Sequence, residues 1–391
     1  MRNYKSTVLA CFIGYIVQAI VNNFIPLLFI TLQAQYGISL GKITMLVTIN
    51  FAVQLAVDFS ATYFVDKLGY KASIVSAHIF SAAGLVLLPL FPEIMPDPFV
   101  GILISVVTYA IGGGLIEVLI SPIMESCPTD NKEKAMSLLH SFYCWGHVGV
   151  VILSTAFFAV FGIENWRILS AFWALVPFFN IFMFLNSPIA PLISDGEKGM
   201  TIAELAKNKI FWVLILMMVC AGASEQAVSQ WASAFAEKGL NISKSAGDLA
   251  GPMTFAVLMG TSRAFYGKYG DRLDLKKFMI GSSVLCVITY LLISLVKIPV
   301  VSLVGCAFCG LSVGIMWPGT FSTASASLKR GGTALYAFLA LAGDLGCSGG
   351  PTLVGLVSEY AGNDMRVGIL AAVVFPIILI LCTVLMKKKK G

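Results

Sequence analysis

Long apolar runs set the limits on what this chain can fold into. A transmembrane helix needs about 20 mostly apolar residues, and the 391-residue sequence holds twelve such runs. Hydrophobic residues make up 58% of the chain and charged residues 12%, about half the charged share of a soluble domain. The pattern predicts an all-α integral membrane protein with twelve transmembrane helices. The runs are 6–32, 41–65, 72–91, 99–126, 134–160, 165–186, 210–236, 248–268, 277–296, 299–325, 332–360 and 366–386.

The distribution of basic residues predicts the topology. The net charge is +6, but lysine and arginine are concentrated in every second gap between the runs, and Lys387–Lys390 close the sequence. Basic gaps on one side are typical of cytoplasmic loops, and such residues contact anionic lipid headgroups. We therefore expect both termini in the cytoplasm, a cell (inner) membrane location, the lipid bilayer as partner, and no nucleic-acid binding.

The longest polar gap divides the chain into two halves. It spans 187–209, between the sixth and seventh runs. Its second half overlaps the stretch 201–210, whose pattern is typical of a short amphipathic surface helix. We expect an N-terminal six-helix bundle over 1–186, a cytoplasmic linker over 187–209, and a C-terminal six-helix bundle with a basic tail over 210–391.

The two halves echo each other in sequence. The gap after the second run carries Asp66, and the gap after the eighth run carries Asp271 and Arg272. The fourth run of each half contains a proline, Pro122 or Pro318. Weak internal repeats are typical of transporters whose two bundles rock against each other, so the halves are predicted to be pseudo-symmetric.

These gap sequences resemble the signature loops of the major facilitator superfamily, although Thr62 replaces the usual leading glycine of the first loop. A narrower resemblance is to the fucose permease-like sugar–proton symporters. The matching segments are Gly112–Glu117 with Ser121-Pro122, the run 138–146, Gly222 with Glu225 and Trp231, Gly260 with Arg263, and Gly349–Pro351 with Gly355. The resemblance implies the major facilitator fold, a central solute site and uptake of a sugar with a proton.

One position departs from that branch. Its first helix usually carries an aspartate four residues before a proline, and here Asn22 stands four residues before Pro26. One of the two proton-linked carboxylates of the branch is thus missing, which leaves Na⁺, or no coupling ion, open beside H⁺.

Ionisable residues inside the apolar runs are the candidates for coupling. Each costs roughly 2.5–3.5 kcal/mol at mid-bilayer depth on insertion scales, so it tends to face a cavity or a partner. We predict Glu117 and Glu225 as proton-coupling residues. The alternative for Glu117 is a structural carboxylate, and the alternatives for Glu225 are solute binding and pairing with a basic group. Opening to water on one side would restore ionisation to a carboxyl group that is neutral in a dry site.

Polar residues at helical spacing predict the remaining site. Gln18, Asn22 and Tyr15 share a face of the first run, as do Asn50, Gln54 and Asp58 of the second. The predicted solute-binding residues are Gln18, Asn22, His140, Tyr143, Gln226, Gln230, Trp231 and Trp317. The predicted gating residues are Asp66, Asp271, Arg272, Asp58, Asp344 and Arg263, with Arg263 also a candidate partner of Glu225.

Motifs of soluble enzymes do not account for this chain. The GxSxG match at 346–350 lies inside an apolar run, where the motif lacks its strand–turn–helix context, and the sequence has no Walker loop. We expect no enzymatic activity, no cofactor, no bound metal and a monomer. The predicted function is cation-coupled uptake of a monosaccharide-like solute. An exporter of amphipathic compounds by proton antiport and a non-transporting membrane sensor remain alternatives.

Overall fold

A computed structural model describes residues 4–38, 40–190, 199–229, 232, 249–362 and 364–386. Across these ranges the regular elements are helices and no strand is present. The all-α prediction is therefore confirmed for the described part of the chain.

The helices of the N-terminal part occupy nearly the same residue ranges as the first six predicted runs. They are α1 (Lys5–Asn23), a 3₁₀ turn (Ile25–Leu28), α2 (Phe29–Tyr36), α3 (Leu40–Leu68), α4 (Tyr70–Ile94), α5 (Pro98–Ser126), α6 (Lys132–Phe161), a 3₁₀ turn (Ile163–Asn165) and α7 (Trp166–Asn186).

The remaining helices are α8, which precedes the seventh run, and those that occupy the last six runs. They are α8 (Ile202–Lys207), α9 (Lys209–Ser229), a π-helical turn (Leu249–Met253), α10 (Thr254–Tyr269), a 3₁₀ turn (Gly270–Arg272), α11 (Leu275–Leu295), α12 (Pro299–Val313), α13 (Met316–Ser327), α14 (Gly332–Tyr360), α15 (Met365–Ala372) and α16 (Val374–Leu385).

Each predicted run corresponds to a helical segment. Within the described ranges, 10 helices are long and apolar enough to cross a membrane. The other two predicted spans, 41–65 and 248–268, correspond to α3 and to α10 with its preceding π-helical turn. The chain is thus an integral, multi-pass membrane protein.

Three predicted spans are broken rather than continuous, and proline explains each break. Pro26, Pro318 and Pro376 have no N–H to donate to the carbonyl four residues before them. The chain switches to a 3₁₀ turn at Ile25–Leu28, where the Leu27 amide bonds the Phe24 carbonyl at 3.1 Å, and it breaks between α12 and α13 and between α15 and α16. Each of these interrupted segments is still long and apolar enough to cross a membrane.

The chain forms two compact units. The first comprises 1–128 and 145–197, and the second comprises 129–144 and 198–391. The helix α6 therefore belongs to the second unit up to Cys144 and to the first unit from Trp145. We keep 187–209 as the proposed linker.

The stretch 201–210, predicted to form a short amphipathic surface helix, contains α8. A capping box closes its start, because the Glu204 amide donates to Thr201 Oγ1 at 3.2 Å and the Thr201 amide donates to Glu204 Oε2 at 2.7 Å. Such reciprocal caps satisfy amides that the first turn leaves without partners.

Close packing of α4 on α5 depends on Gly84. A Cβ at this position would lie 2.5 Å from the Tyr109 amide nitrogen and 2.8 Å from the Ser105 carbonyl oxygen. Small residues let membrane helices approach in this way. We expect Gly84→Ala to destabilise the protein by about 1–3 kcal/mol, the usual cost of overpacking.

The matched control for that substitution is Gly281→Ala in α11, where an added Cβ meets no atom within 4 Å. Thermal unfolding in detergent should show a lower Tm for Gly84→Ala and an unchanged or higher Tm for Gly281→Ala. Equal shifts in the two variants would show that the close approach is not what Gly84 provides.

Candidate functional site

A cluster of side-chain amides lies within the first unit, on α1 and α3. Gln18 Nε2 donates to Gln54 Oε1 at 3.2 Å. Gln54 Nε2 donates to Asn22 Oδ1 at 2.7 Å, and Asn50 Nδ2 donates to the same oxygen at 3.2 Å. Gln18, Asn50 and Gln54 are buried, and Asn22 is half-buried. A spacing of one helical turn places Gln18 and Asn22 on one face of α1 and Asn50 and Gln54 on one face of α3. This spacing accounts for the cluster.

Glu117 of α5 closes one end of this amide cluster. Its Oε2 accepts a hydrogen bond from Gln18 Nε2 at 3.1 Å. Every other residue from Gly112 to Met124 is buried, whereas Glu117 keeps accessible surface. A carboxylate that keeps accessible surface inside an apolar helix is suited to proton exchange.

Neighbouring groups complete the polar face of the first unit. Tyr15 Oη lies 2.9 Å from Ser121 Oγ, one helical turn beyond Glu117. Asp58 of α3 is fully buried one turn after Gln54. The structure thus brings together the predicted residues Gln18, Asn22 and Glu117, with Asp58 farther along the face of α3.

The second unit holds a buried ion pair. Arg263 Nη2 of α10 lies 3.2 Å from Glu225 Oε2 of α9, and the two side chains are 4% and 12% exposed. Arg263 Nη1 also donates to the His140 carbonyl at 3.2 Å and to Cys144 Sγ at 3.1 Å, both on α6. The pairing of Arg263 with Glu225 expected from sequence is therefore present.

Pro318 leaves a further hydrogen-bond acceptor available to Arg263. Pro318 cannot donate to the carbonyl of Gly314, four residues earlier, and Arg263 Nε donates to this carbonyl at 2.8 Å instead. The break between α12 and α13 and the orientation of Arg263 are therefore linked. A buried guanidinium with several acceptors holds its position better than one with a single partner.

Aromatic residues surround His140 in the second unit. Its imidazole stacks on Phe321 with ring centres 5.7 Å apart, and Phe321 stacks on Tyr336 at 5.5 Å. His140 is 5% exposed, and its role in solute contact stays a prediction. Trp317 is half-buried and lies 6.5 Å from Phe321, ring centre to ring centre.

Of the other predicted contacts in the second unit, Tyr143 and Gln226 are half-buried, and Gln226 Nε2 donates to Glu225 Oε1 at 3.4 Å. Gln230 and Trp231 lie outside the described residues. Within the described ranges, no group of three or more histidine, cysteine or acidic side chains is placed to hold a metal ion.

The predicted gating residues fall into two classes. Asp66 and Arg272 are exposed at helix ends, whereas Asp344 is 9% exposed within α14. Asp271 forms an ion pair with Lys134 and accepts a hydrogen bond from Asn131 Nδ2 at 3.0 Å. Both partners of Asp271 lie in the loop and first turn of α6.

The acid dependence of stability should report the Asp271 contacts. Hydrogen bonds from Lys134 and Asn131 hold the pKa of the Asp271 carboxyl below its ordinary value. A lowered folded pKa adds stability above the unfolded value of about 3.9, and this stability is lost as pH falls through the folded pKa. The Tm difference between wild type and Asp271→Asn should therefore be present at neutral pH, shrink below about pH 4 and weaken with salt. A difference that stays constant across this range would contradict the assignment.

The sequence pattern of the Major Facilitator Superfamily matches residues 8–351. The chain belongs to this superfamily. Its members are transporters, so the arrangement described above lies within a transporter fold. No curated protein matches the chain in sequence.

Solved structures of superfamily members share the fold. The transporter FucP in its outward conformation superposes with a TM-score of 0.81 at 15% identity, covering 99% of this chain and 100% of that one. The human organic anion transporter MFSD10 gives 0.77 at 14% identity, covering 98% and 100%. The proton:xylose symporter XylE, bound to 6-bromo-6-deoxy-D-glucose, gives 0.78 at 14% identity, covering 96% and 94%. Identities this low establish the fold alone.

Sequence reasoning missed several participants. Asn50 and Gln54 were placed on a polar face but were not counted among the solute-binding residues, and the Gly314 carbonyl and Cys144 were not foreseen as partners of Arg263. The signal for Gln54 was available, because it lies one helical turn from both Asn50 and Asp58. The signal for Gly314 was its position four residues before Pro318.

Proposed function

We propose that the protein is a secondary active transporter that takes up a small, polar, uncharged solute such as a monosaccharide, together with H⁺, by alternating access. The observation that carries this proposal is the amide cluster of the first unit, which ends at the accessible carboxylate of Glu117. Asparagine and glutamine both donate and accept hydrogen bonds, which suits hydroxyl groups, and a carboxylate can bind and release a proton.

The charge of the second unit supports an uncharged solute. Fold alone does not decide the cargo, because sugar symporters and an organic anion transporter share it. An anionic solute needs a cationic partner, but the buried guanidinium of Arg263 is already paired with Glu225 and bonded to backbone carbonyls. The cluster of Gln18, Asn22, Asn50 and Gln54 offers only neutral groups.

Ligand-dependent stability of the full-length protein tests the class of solute. Thermal unfolding is measured with monosaccharides, polyols, organic anions and amphipathic cations, since a ligand stabilises the state that it binds by roughly 2.7 kcal/mol at one hundred times its Kd. We expect neutral polyhydroxylated compounds to raise Tm. The stabilising compound is then supplied to proteoliposomes with an inward proton gradient, where accumulation is expected.

Three outcomes contradict the proposal in whole or in part. Stabilisation by amphipathic cations with no effect of any sugar or polyol would favour the exporter. Stabilisation by organic anions alone would show that the Arg263–Glu225 pair opens to a charged solute. Binding of a sugar without accumulation under a proton gradient would leave the solute class standing and remove the proton coupling.

A further inference from the structure

Hydrogen bonds in the amide cluster run in a defined direction. Gln18 Nε2 donates both to Glu117 Oε2 and to Gln54 Oε1. Gln54 Nε2 and Asn50 Nδ2 both donate to Asn22 Oδ1. An ionised carboxylate only accepts hydrogen bonds, so ionised Glu117 requires a nitrogen from Gln18 and thereby orients each following amide.

The same side chains can form the reverse set of bonds. The terminal torsion of an amide side chain is roughly two-fold, and a half-turn exchanges its oxygen and nitrogen at nearly the same positions. A protonated Glu117 donates to the oxygen of Gln18, which also accepts from Gln54. The nitrogen of Asn22 then donates to the oxygens of Gln54 and Asn50. Each of the bonds present with ionised Glu117 has a counterpart of opposite direction.

Intermediate arrangements are unfavourable. If one amide turned alone, two oxygens or two NH₂ groups would face each other, and buried polar groups without partners cost about 1–3 kcal/mol each in general. Hydrogen bonds in such a chain also polarise one another. The four amides are therefore expected to turn together.

Gly113 of α5 leaves space for this rotation. A Cβ at Gly113 would lie 3.1 Å from Gln54 Nε2 and 3.3 Å from Gln18 Oε1, closer than nine in ten contacts of real Cβ atoms. Gln18 Oε1 is buried and has no hydrogen-bond partner among the described residues. Gly113 is therefore the position at which a methyl group would hinder both glutamines without removing any polar group.

We infer that Gln18, Gln54 and Asn50 form a relay that converts protonation of Glu117 into a change in the group that Asn22 presents at the accessible surface. With Glu117 ionised, Asn22 presents its NH₂ group, whose nitrogen bonds no described residue. With Glu117 protonated, Asn22 presents its carbonyl oxygen. The proton passes from water to Glu117 Oε2, and the amides exchange no protons. The inference rests on the proposed role of Glu117 in proton exchange.

Such a relay links the coupling ion to the solute without direct contact between them. A solute hydroxyl meets a donor at Asn22 in one protonation state and an acceptor in the other, so its hydrogen-bonding geometry, and hence its affinity, depends on the proton. Reciprocity then requires the solute to change the proton affinity of Glu117. Asn22, which stands where the resembling symporters usually carry an aspartate, thereby takes part in coupling although its side chain cannot titrate.

Other titratable groups lie on the elements packed against α5. Those that lie within the spans, away from the helix ends, include Tyr15 on α1, Asp58 on α3 and His78 on α4. Tyr15 is engaged with Ser121, and His78 bonds the Ile74 carbonyl through Nδ1 at 2.8 Å and Asn180 through Nε2 at 2.8 Å. Assignment of a titrating carboxyl to Glu117 rather than Asp58 therefore needs the Glu117→Gln variant.

Infrared difference spectroscopy tests the relay with the proton as the only probe. The full-length protein, reconstituted in lipid nanodiscs and carrying asparagine labelled with ¹³C at the side-chain carbonyl, is titrated between acid and alkaline pH. We expect the protonated-carboxyl band of Glu117 and the labelled asparagine bands to change along one titration curve. Gln54→Met should keep the carboxyl band and lose the asparagine response, because Asn22 and Asn50 are then disconnected from Glu117.

Two further variants complete the experiment. Gly113→Ala keeps every polar group, and we expect it to lose the asparagine response because the added methyl group blocks rotation of the glutamines. It replaces Gln54→Met in the test if that variant does not fold. Asn180→Leu removes a buried amide of the same unit outside the relay and should leave the response intact.

Asparagine bands that do not follow Glu117, or that persist in both Gln54→Met and Gly113→Ala, would overturn the relay and leave the proposed function standing. A carboxyl band that survives Glu117→Gln would overturn both.

Discussion

Replacing Arg263 with methionine is expected to destabilise the protein by about 3–5 kcal/mol, the usual effect of removing one partner from a buried ion pair. The change leaves the carboxylate of Glu225 buried without its cation and leaves the Gly314 carbonyl without the donor that compensates for Pro318. Chemical unfolding in detergent, or the rate of unfolding if the transition is irreversible, measures the effect.

A double-mutant cycle separates the ion pair from the other contacts of Arg263. Glu225→Gln should recover part of the loss in the Arg263→Met background, because the neutral amide no longer needs a cation. The matched control is Arg167→Met, since Arg167 forms an exposed ion pair with Glu93 and should cost only about 0–1 kcal/mol. Similar losses for the two arginines would show that burial does not distinguish the pairs.

Glu117→Gln is expected to abolish accumulation of solute while preserving its exchange. One proton per solute moving down a gradient of about one pH unit supports roughly tenfold accumulation. Without a titratable group at this position the coupling free energy vanishes, so the variant should reach an inside-to-outside ratio of about one. Glutamine keeps the size and hydrogen-bonding capacity of the side chain, so counterflow exchange of solute should persist.

The control for that variant is Glu125→Gln, two turns farther along the same helix. Glu125 is half-buried near the end of α5, two helical turns from the position that bonds Gln18, so accumulation by Glu125→Gln should match wild type. Proteoliposome uptake and counterflow measure both quantities on the same preparation. Normal accumulation by Glu117→Gln would move the proton site elsewhere, with Asp58 and Glu225 the next candidates.

The transmembrane architecture was predictable from sequence because burial in lipid demands long apolar helices with internal backbone hydrogen bonds. In the described part of the chain each predicted run coincides with a helical segment, and α8 was indicated by its amphipathic pattern. The interruptions at Ile25–Leu28 and between α12 and α13 were not predicted. A proline kinks or breaks a membrane helix only according to what else can satisfy the freed carbonyl, as the unbroken path of α5 through Pro122 shows.

The candidate site was predictable in part. Helical spacing grouped Gln18 with Asn22, and Asn50 with Gln54, but it could not show which polar faces meet, because that depends on packing between helices. The Arg263–Glu225 pair was one of several possible pairings for these residues. The contacts of Arg263 with backbone carbonyls carry no side-chain signal in the sequence and required the structure.

Accessibility of position 117 to water decides whether Glu117 can exchange protons, and its measurement needs no knowledge of the solute. Eight of the nine cysteines are buried, so Cys347→Ser provides an almost unreactive background. In it, Glu117→Cys should react with a small, charged, water-soluble thiol reagent, because the thiolate needs solvent to react, whereas Val118→Cys, at a fully buried neighbour, should not. We expect fast modification at 117 and none at 118. Equal lack of reaction at both positions would show that Glu117 is enclosed among dry helices and would contradict its proposed role in proton exchange.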